Sequence, residues 1–273
     1  MNTYPFFTSP AGAFRPVVLC LSGHDPSGGA GLQADIEALL AQGCHAAPTV
    51  TALTVQDTRN VSDFRVLDRA WVLAQAETIL RDMPVAAVKL GMLGSVEMVE
   101  TVRDLMQQLP NVPLVCDPVL RAGGGGVLGR DDVGAAIRET LLPLCAIATP
   151  NLPEARLLAE LPHGSADECA AKLQPYCTNL LITGGHGDEH AIHNRLYQRD
   201  GQRHEFTCVR LPGSYHGSGC TLASALAGRL ALGQDIVGAV KTALDYTWRT
   251  LRDAEQPGHG QYVPRRLPLD FRS

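Results

Sequence analysis

Residues 16–42, PVVLCLSGHDPSGGAGLQADIEALLAQ, contain the three parts of one α/β unit in immediate succession. The apolar run 16–21 is typical of a buried strand, and residues 22–31 form a loop rich in glycine. A helical pattern follows over 32–42, where leucine and isoleucine recur at helical spacing. A strand that enters a helix through a short glycine loop predicts an α/β fold with a mostly parallel sheet.

The same alternation of short apolar runs and helical patterns continues along the chain, which predicts a sheet covered by helices. Further strands are predicted at 46–51, 86–90, 112–116, 147–149 and 180–183. An antiparallel pair is predicted at 192–198 and 204–209, across the turn Arg199-Asp200-Gly201. Further helices are predicted at 68–81, 95–109, 152–160, 166–173, 219–232 and 235–252, with Asp68 and Ser95 as N-caps of the first two.

Length and composition favour one globular domain. The chain has 273 residues, of which 45% are hydrophobic, and it shows neither an internal repeat nor a clear domain boundary. α/β folds often reach this size undivided. We expect a loose arm at 1–15, a single domain at 16–256, and a tail at 257–273 that packs on the surface.

Charge and cysteine usage exclude several classes of protein. The net charge is −5, and the basic residues are scattered, with only three lysines, at positions 89, 172 and 241. This argues against binding to nucleic acid or to an anionic membrane surface. No apolar run approaches the roughly 20 residues of a membrane span, and the first residues lack the pattern of a signal peptide. The eight cysteines include no C-x-x-C pair, which predicts reduced thiols and a cytoplasmic protein.

Unusual residues cluster directly after the predicted strands. In open α/β sheets, ligands bind beyond the carboxyl ends of the strands, so the sequence predicts a site there. The chain has neither a Walker-type phosphate loop nor a G-x-G-x-x-G after the first strand. The clusters are Gly23-His24-Asp25, Gly91-Met92, Asp117-Pro118, Pro150-Asn151 and Gly184-Gly185.

Residues 216–221, HGSGCT, stand directly before a helical pattern. Gly217 and Gly219 allow a tight turn, and the helix start behind them attracts anions through its backbone N–H groups. Cys220 lies where a thiolate is favoured, although it could also be a small buried hydrophobe. His216 could bind phosphate, act as an acid, or cap the turn. The stretch predicts a phosphate cradle that contains a candidate base or nucleophile.

Acidic and amide groups offer further ligand contacts. Asn151 and Glu154 at a helix start match a capping box, or Glu154 helps to hold Mg²⁺ with Asp117 as the second acidic group. Asp35, early in the first helix, could bind a ligand hydroxyl or amine, or only complement the helix dipole. The loop 121–126, RAGGGG, could close over phosphates as a lid.

Seven segments together carry a resemblance to a known family. They are GHDPSGGAGLQAD (23–35), TALTVQD (51–57), VKLGMLGS (88–95), CDPVL (116–120), TPNLPEA (149–155), ITGGH (182–186) and HGSGCT (216–221). The segments resemble the ribokinase-like superfamily, and within it the hydroxymethylpyrimidine/phosphomethylpyrimidine kinases of thiamine biosynthesis. They occur in the order of that family, and the combination of DPSGGAGLQAD with HGSGCT is specific. The resemblance implies a three-layer α/β/α sandwich, the cofactors ATP and Mg²⁺, and a homodimer.

The resemblance implies a pyrimidine pocket and a reaction point beside it. Cys220 stands where most relatives carry aspartate, and it would lie at the reacting hydroxymethyl group. Gln56 could pair with a ring nitrogen and the neighbouring amine, because an amide is both donor and acceptor. The amides of the anion hole would be those of Gly217, Ser218 and Gly219. The pocket itself would be lined by Asp35, Gln56 and Met92, with Ala30 and Val119 close by.

The resemblance also implies a nucleotide and magnesium end. Mg²⁺ would be bound there through water, close to the phosphates of ATP. Asn151, Glu154 and Asp117 would serve the Mg²⁺–phosphate end, and Thr183, Gly185 and His216 would contact the nucleotide and its phosphates.

Three positions depart from the family pattern. His24 stands where the family usually has a small hydroxyl residue, and Gly123 and Thr183 stand where many members have lysines near the phosphates. Arg121, Lys89 or Mg²⁺ could supply the positive charge that these two lysines provide elsewhere.

We therefore expect a cytoplasmic kinase that uses ATP to phosphorylate 4-amino-5-hydroxymethyl-2-methylpyrimidine, and also its monophosphate. Three other functions stay open from the sequence. A pyridoxal-type kinase would share the fold and a substrate with a hydroxymethyl arm. A non-catalytic pyrimidine-binding protein, or a cysteine hydrolase that uses Cys220, would consume no ATP.

Overall fold

The computed structural model describes residues 15–120, 132–185 and 190–267. Within these ranges, nine strands form one continuous sheet. The strands are β1 Val17–His24, β2 His45–Gln56, β3 Val61–Val66, β4 Val85–Leu90, β5 Leu114–Cys116, β6 Ile147–Ala148, β7 Asn179–Ile182, β8 Ala191–Gln198 and β9 Arg203–Val209.

The sheet is mostly parallel, as the alternation of apolar runs and helical patterns predicts. Its strand order is β3-β2-β1-β4-β5-β6-β7-β8-β9. Strands β1, β2 and β4 to β7 run parallel, whereas β3, β8 and β9 pair antiparallel with their neighbours at the two edges. The carboxyl ends of the parallel strands therefore meet along one side of the sheet.

Helices cover both faces of the sheet and produce the three-layer α/β/α sandwich that the resemblance implied. The α-helices of the described residues are α1 Gly31–Ala41, α2 Arg69–Asp82, α3 Val96–Met106, α4 Val133–Ala136, α5 Leu152–Ala159, α6 Ala166–Leu173, α7 Ser218–Ala231 and α8 Ile236–Arg252. A π-helix at Ile137–Leu141 and a 3₁₀ helix at Leu142–Leu144 continue directly from α4. One apolar core joins the sheet to α1, α7 and α8, and a second core joins its other face to α2 through α6.

Strand β1 shows why the first α/β unit folds as predicted. Its first seven residues are buried, with Leu19 and Leu21 in one core and Val18 and Cys20 in the other. A continuous apolar run is typical of a parallel strand that is covered on both faces. The predicted strand at 16–21 is confirmed, and it continues to His24 at the site.

The second strand is longer than predicted and pairs with a strand that the sequence analysis missed. β2 continues beyond the predicted 46–51 as far as Gln56 and pairs antiparallel with β3, where Leu53 lies opposite Arg65. β3 lies at the sheet edge, and half of its side chains are exposed. Its sequence, VSDFRV, therefore carries only a weak hydrophobic pattern.

Helix termini follow the predictions to within three residues. Ser95 caps α3 as expected, because its hydroxyl accepts a hydrogen bond of 3.2 Å from the Met98 N–H, but the helix ends at Met106 rather than at 109. Asp68 stands at the N-cap position of α2, yet its side chain forms no capping hydrogen bond. The antiparallel pair β8–β9 is confirmed, with Gly201 at a φ of 88° in its turn.

The C-terminal tail is not confined to the surface, in contrast to our expectation. Pro257 and His259 are exposed, but Arg266 is only 3% exposed. A buried guanidinium is tolerated only where acceptors satisfy its N–H groups. Arg266 finds three acceptor groups between α1 and the start of α7 and is therefore drawn into the protein.

A buried ion pair connects four elements below the carboxyl edge of the sheet. The Lys89 ammonium on β4 lies 2.7 Å from the Asp35 carboxylate on α1, and both side chains are fully buried. Lys89 also donates to the Ser22 hydroxyl on β1 at 3.0 Å. Ser224 on α7 donates to Asp35 at 2.6 Å. Burial alone would lower the pKa of Lys89, but the charge of Asp35 raises it overall, so the ammonium stays protonated.

Replacing Lys89 with methionine removes the partner of a buried carboxylate. We expect Lys89→Met to lower the free energy of unfolding by about 3–5 kcal/mol, because Asp35 is then buried without a cation. Lys89→Met combined with Asp35→Asn is expected to lose less, since the amide carries no charge and still accepts from Ser224. Urea denaturation at pH 7 measures the free energy of unfolding of both variants. A double variant less stable than Lys89→Met alone would contradict this account.

Candidate active site

A cavity of about 1210 Å³ opens at the carboxyl ends of the parallel strands. It lies where the sequence predicted a ligand site, and it brings together every predicted site residue except Asp35. Those that line it are Ala30, Gln56, Met92, Asp117, Val119, Asn151, Glu154, Thr183, Gly185, His216, Gly217, Ser218, Gly219 and Cys220.

Asp35 does not line the cavity, in contrast to the role that the resemblance implied for it. Its carboxylate is fully buried between Lys89 and Ser224, so it is committed to the internal ion pair. Lys89 is likewise absent from the cavity wall. It cannot contact the phosphates of a ligand there and acts on the site only through its charge.

The anion cradle consists of residues 217–220 at the start of α7. Gly217 is the N-cap residue with a φ of 79°, a conformation that favours glycine. A side chain at Gly217 would also place its Cβ 2.0 Å from the Gly29 carbonyl oxygen. The first N–H groups of an α-helix have no partner within the helix. The cradle therefore presents backbone donors and the positive end of the helix dipole to the cavity.

Asp117 borders this cradle. A Cβ placed on Gly219 would lie 3.5 Å from the Asp117 carboxylate, so the two segments approach closely. Burial raises the pKa of Asp117 to about 6, and the charge of Asp35 adds to this while Lys89 opposes it. A bound phosphate and the Asp117 carboxylate would repel each other unless a cation lay between them.

Asn151 and Glu154 form the capping box of α5 and also line the cavity. The Asn151 side chain accepts from the Glu154 N–H at 2.9 Å, and Glu154 accepts from the Asn151 N–H at 3.0 Å. Burial raises the pKa of Glu154 to about 8, with a further contribution from the charge of Asp117. The capping and cavity-lining interpretations are thus both compatible with the geometry.

The acidic pair Asp117 and Glu154 fits a magnesium ion. Both side chains are buried, and the charge of Asp117 raises the pKa of Glu154, a repulsion that a divalent cation would relieve. The described residues contain no group of three or more candidate metal ligands among His, Cys, Asp and Glu. Two carboxylates with waters and substrate phosphates are a common ligand set for Mg²⁺, so this donor set suits the metal.

Cys220 is held as a thiol, which contradicts the expectation of a favoured thiolate. Burial raises its pKa to about 11, and Lys89, which lowers it, is outweighed by this desolvation and by the nearby carboxylates of Asp117 and Asp35. A helix start does not overcome these effects. In the free protein, Cys220 is therefore a protonated, partly buried group within the cradle.

An apolar slot lies at the other end of the cavity. Met92 is 6% exposed and packs with Ala52, Val61, Phe64 and Val119. Gln56, the last residue of β2, lines the cavity beside this cluster. The slot thus combines apolar walls with one amide group, which suits a small heteroaromatic ring.

Asp25 organises the first loop, a role that the sequence analysis did not assign to it although it placed the residue at the predicted ligand edge. It accepts hydrogen bonds of 2.8 Å from the N–H groups of Ser27 and Ala30, and of 2.8 Å from His216 Nε2. Burial would raise the pKa of Asp25, but the hydrogen bonds from His216 and Ser27 lower it overall. The signal was an aspartate before Pro26 in a glycine-rich turn, a typical site for side-chain bonding to the backbone.

The strand end at Thr183 closes the cavity on the far side. Thr183 pairs with Asn151 in a parallel bridge, and the N–H of Gly184 donates to the Asn194 side chain at 3.2 Å. Gly185 has a φ of 106°, which favours glycine. The predicted lid at 121–126 lies outside the described residues.

No helix in the described part of the chain is long and apolar enough to cross a membrane. The three-layer fold, with an anion cradle and an acidic pair in one cavity, defines a phosphotransferase of the ribokinase-like class. A family model described as phosphomethylpyrimidine kinase matches residues 25–265, and the chain belongs to that family. The chain is accordingly a kinase.

Individual proteins support the same family. A hydroxymethylpyrimidine/phosphomethylpyrimidine kinase of Haemophilus influenzae is 34% identical over 251 residues, covering 89% of this chain and 93% of the relative. A phosphomethylpyrimidine kinase structure from Clostridium difficile aligns with a TM-score of 0.73 and 30% identity, covering 86% and 98% of the two chains. The pyridoxal kinase of Staphylococcus aureus in complex with AMP-PCP and pyridoxal aligns with a TM-score of 0.82 and 27% identity, covering 93% and 94%.

Alanine at Gly217 tests the cradle, and Gly233 offers a matched control. Both glycines have a positive φ, but a Cβ at Gly233 meets nothing within 4 Å. Each alanine variant is expected to lose about 1–2 kcal/mol of unfolding free energy from the left-handed conformation. Only Gly217→Ala also displaces Gly29 and the cradle, so only it should weaken AMP-PCP binding, by about tenfold or more, in calorimetric titrations. Equal affinities of the two variants would argue against a cradle at 217–220.

Proposed function

We propose that this kinase transfers the γ-phosphoryl group of ATP to the hydroxymethyl group of 4-amino-5-hydroxymethyl-2-methylpyrimidine. It then phosphorylates the monophosphate to the diphosphate, for the synthesis of thiamine diphosphate. One observation carries the proposal: a single cavity joins an apolar slot with an amide, the thiol of Cys220 and the anion cradle. The membership of the chain in the phosphomethylpyrimidine kinase family supports the substrate class.

The slot suits an aminopyrimidine as acceptor. One amide group, that of Gln56, can donate to a ring nitrogen and accept from the neighbouring exocyclic amine. Met92 and Val119 offer apolar contacts to the ring. The resemblance places the reacting hydroxymethyl group at Cys220, which lines the same cavity as Gln56 and Met92.

The opposite end of the cavity suits the nucleotide. Side chains of β9 and α8 line it, including Phe206, Val209 and Trp248, and Lys241 adds a positive charge. Apolar walls with a few polar groups are typical of sites that bind a base. The AMP-PCP complex of the similar pyridoxal kinase supports ATP as the phosphoryl donor.

Phosphoryl transfer depends mainly on positioning and on stabilising charge. The N–H groups at Gly217, Ser218 and Gly219 bind oxygens of the moving phosphoryl group. Asp117 and Glu154 would hold Mg²⁺, which would supply positive charge near the ATP phosphates. The backbone donors, together with this metal, would take the place of the lysines that many family members have at positions 123 and 183.

In this proposal Cys220 positions the acceptor hydroxyl. A thiol whose pKa is raised to about 11 is protonated at neutral pH, so it forms a hydrogen bond rather than removing a proton. The hydroxyl oxygen bonds to the γ-phosphorus while the bond from that phosphorus to the β–γ bridging oxygen breaks and ADP leaves. The hydroxyl proton passes to an oxygen of the transferred phosphoryl group. The sequence left open whether Cys220 is a base or only positions the hydroxyl, and this assignment favours the positioning role.

Pyridoxal is the second candidate substrate. The similar pyridoxal kinase aligns with a higher TM-score than the similar phosphomethylpyrimidine kinase, 0.82 against 0.73. Pyridoxal also has a heteroaromatic ring with a hydroxymethyl arm. Family membership as a kinase argues against a non-catalytic binder. The pairing of His216 with Asp25, together with the protonated Cys220, argues against a cysteine hydrolase.

The homodimer and the cytoplasmic location stay predictions. Leu53 and Val55 on β2 are 44% and 61% exposed, which supports a partner at this edge of the sheet. All eight cysteines lie in described residues and none is in a disulfide, which supports a reducing compartment.

A turnover assay tests the function directly. With ATP and Mg²⁺, we expect kcat/KM for the hydroxymethylpyrimidine to exceed that for pyridoxal by about tenfold or more, because one missing hydrogen-bond partner in a buried site costs at least that much. ADP release and mass spectrometry of the product measure both reactions. Folded protein that turns over pyridoxal but not the pyrimidine would overturn the proposed substrate.

Substitution of Cys220 distinguishes a positioning group from a base. Cys220→Ala is expected to lower kcat by about 10²-fold while KM changes little, since misplacement of a reacting group costs this much. If Cys220 acts as a protonated thiol, the kcat ratio of wild type to Cys220→Ser should stay constant from pH 7 to 9. If it acts as a base, the ratio should follow the thiolate fraction, which rises tenfold per pH unit below a pKa of about 11. A ratio that rises tenfold per unit would identify Cys220 as a base.

A further inference from the structure

The C-terminal segment 255–266, here called the strap, joins loops at the cavity that are far apart in sequence. The Tyr262 carbonyl accepts from the His216 N–H at 2.8 Å, and the Tyr262 N–H donates to the Ser214 carbonyl at 2.8 Å. The Gln261 N–H donates to the Thr58 carbonyl at 2.8 Å, in the turn between β2 and β3. The strap thus contacts both the segment before the cradle and the segment after Gln56.

Arg266 inserts the end of the strap behind the cradle. Its side chain is fully buried. The guanidinium donates to the Thr221 hydroxyl at 2.8 Å, to the Gly29 carbonyl, and to the Glu37 carboxylate at 3.0 Å. The backbone of Arg266 is also held, because its carbonyl accepts a hydrogen bond from the Tyr246 hydroxyl at 2.9 Å.

Two of these acceptors, Thr221 at the start of α7 and Gly29 in the loop after β1, belong to the segments that shape the anion site, and Glu37 lies on α1. Thr221 follows Cys220, and its hydroxyl donates to the Gly217 carbonyl at 2.8 Å. Gly29 lies in the loop that is folded around Asp25. A Cβ on Gly217 would meet the Gly29 oxygen at 2.0 Å and the Arg266 guanidinium at 2.9 Å. The guanidinium therefore lies directly behind the residue that opens the cradle.

We propose that Arg266 is a positioning residue for phosphoryl transfer, which holds the 25–30 loop and the start of α7 in the arrangement that binds the moving phosphoryl group. The planar guanidinium reaches three acceptors at once, which an ammonium cannot do in the same geometry. Arg266 lies one residue beyond the family-model match at 25–265. Its effect on turnover rests on the proposed function, whereas its effect on nucleotide binding rests only on the cradle.

A fixed cradle matters because the stabilising donors are backbone groups. Such donors act on a developing charge only when they are already aligned, and a misplacement of about 1 Å can cost about 10²-fold in rate. Among the three donor residues Gly217, Ser218 and Gly219, only Ser218 has a side chain that could reach a phosphate. Side chains therefore cannot make up for a shifted backbone at the other two positions. Alignment must come from what packs behind them.

Arg265 offers a matched control, one residue away. Its side chain is 38% exposed and forms an ion pair with Glu255 at the surface. We expect Arg266→Ala to lower kcat by about 10²-fold relative to Arg265→Ala, with the KM for the pyrimidine changed less than about threefold. Added guanidinium chloride at millimolar concentration should restore part of this loss in Arg266→Ala alone. Arg266→Lys should remain impaired, because it keeps the charge but not the planar fork.

AMP-PCP titration separates this proposal from the proposed function. We expect Arg266→Ala to bind AMP-PCP about tenfold more weakly than Arg265→Ala, whichever acceptor the enzyme uses. Equal AMP-PCP affinity and equal kcat per folded molecule in the two variants would overturn the role of Arg266. Failure of the wild type to phosphorylate the pyrimidine would overturn the proposed function while leaving the AMP-PCP comparison decisive.

A second variant keeps the test available if Arg266→Ala does not fold. Thr221→Val removes one acceptor of the guanidinium at nearly constant volume and leaves the charge of Arg266 in place. The same loss of kcat and AMP-PCP affinity in this variant, in smaller measure, supports the proposal. Wild-type kcat and affinity in folded Thr221→Val would contradict it.

Discussion

One buried ammonium group holds the catalytic edge of the sheet together. Lys89 on β4 bonds Asp35 on α1 and Ser22 on β1, while Asp35 accepts from Ser224 on α7. The loop between β1 and α1, the turn after β4 and the start of α7 are among the segments that line the cavity. The backbone of Gly91 packs closely against this lysine, and a Cβ on Gly91 would lie 2.9 Å from the Lys89 ammonium. The buried pair of Lys89 and Asp35, which lies beneath the cavity wall, thus fixes the relative positions of the segments around the site.

The charge of Lys89 also balances the acids around it. Burial raises the pKa of both Asp117 and Cys220, and the ammonium lowers each in part. Glu154, whose pKa is raised to about 8, has no such cation among the causes of its shift. Negative charge is therefore most costly at Glu154, the end of the cavity assigned to Mg²⁺. The chain places a permanent cation, Lys89, near Asp117 and Cys220, whereas the proposed Mg²⁺ would supply positive charge near Glu154.

Local pattern predicted most of the fold, since parallel strands buried on both faces are strongly apolar. The strand ends that carry glycine, asparagine and aspartate also predicted where the cavity lies, because parallel strands share one carboxyl edge. β3 was missed because an exposed edge strand has little hydrophobic periodicity. Asp35 was misplaced because its partners, Lys89 and Ser224, are distant in sequence, and no local pattern reveals a buried ion pair. Arg266 escaped notice for the same reason, in a tail whose composition is typical of a surface segment.

The raised pKa of Cys220 has a consequence for chemical modification and inhibition. Peroxides and alkylating agents react with thiolates, and a thiol with a pKa of about 11 has very little thiolate at neutral pH. We therefore expect Cys220 to react more slowly with oxidants than the activated cysteines of other enzymes. Inhibitors with an electrophilic warhead would gain little from this cysteine. Selective ligands would instead exploit the shape of the slot at Met92 and the amide of Gln56.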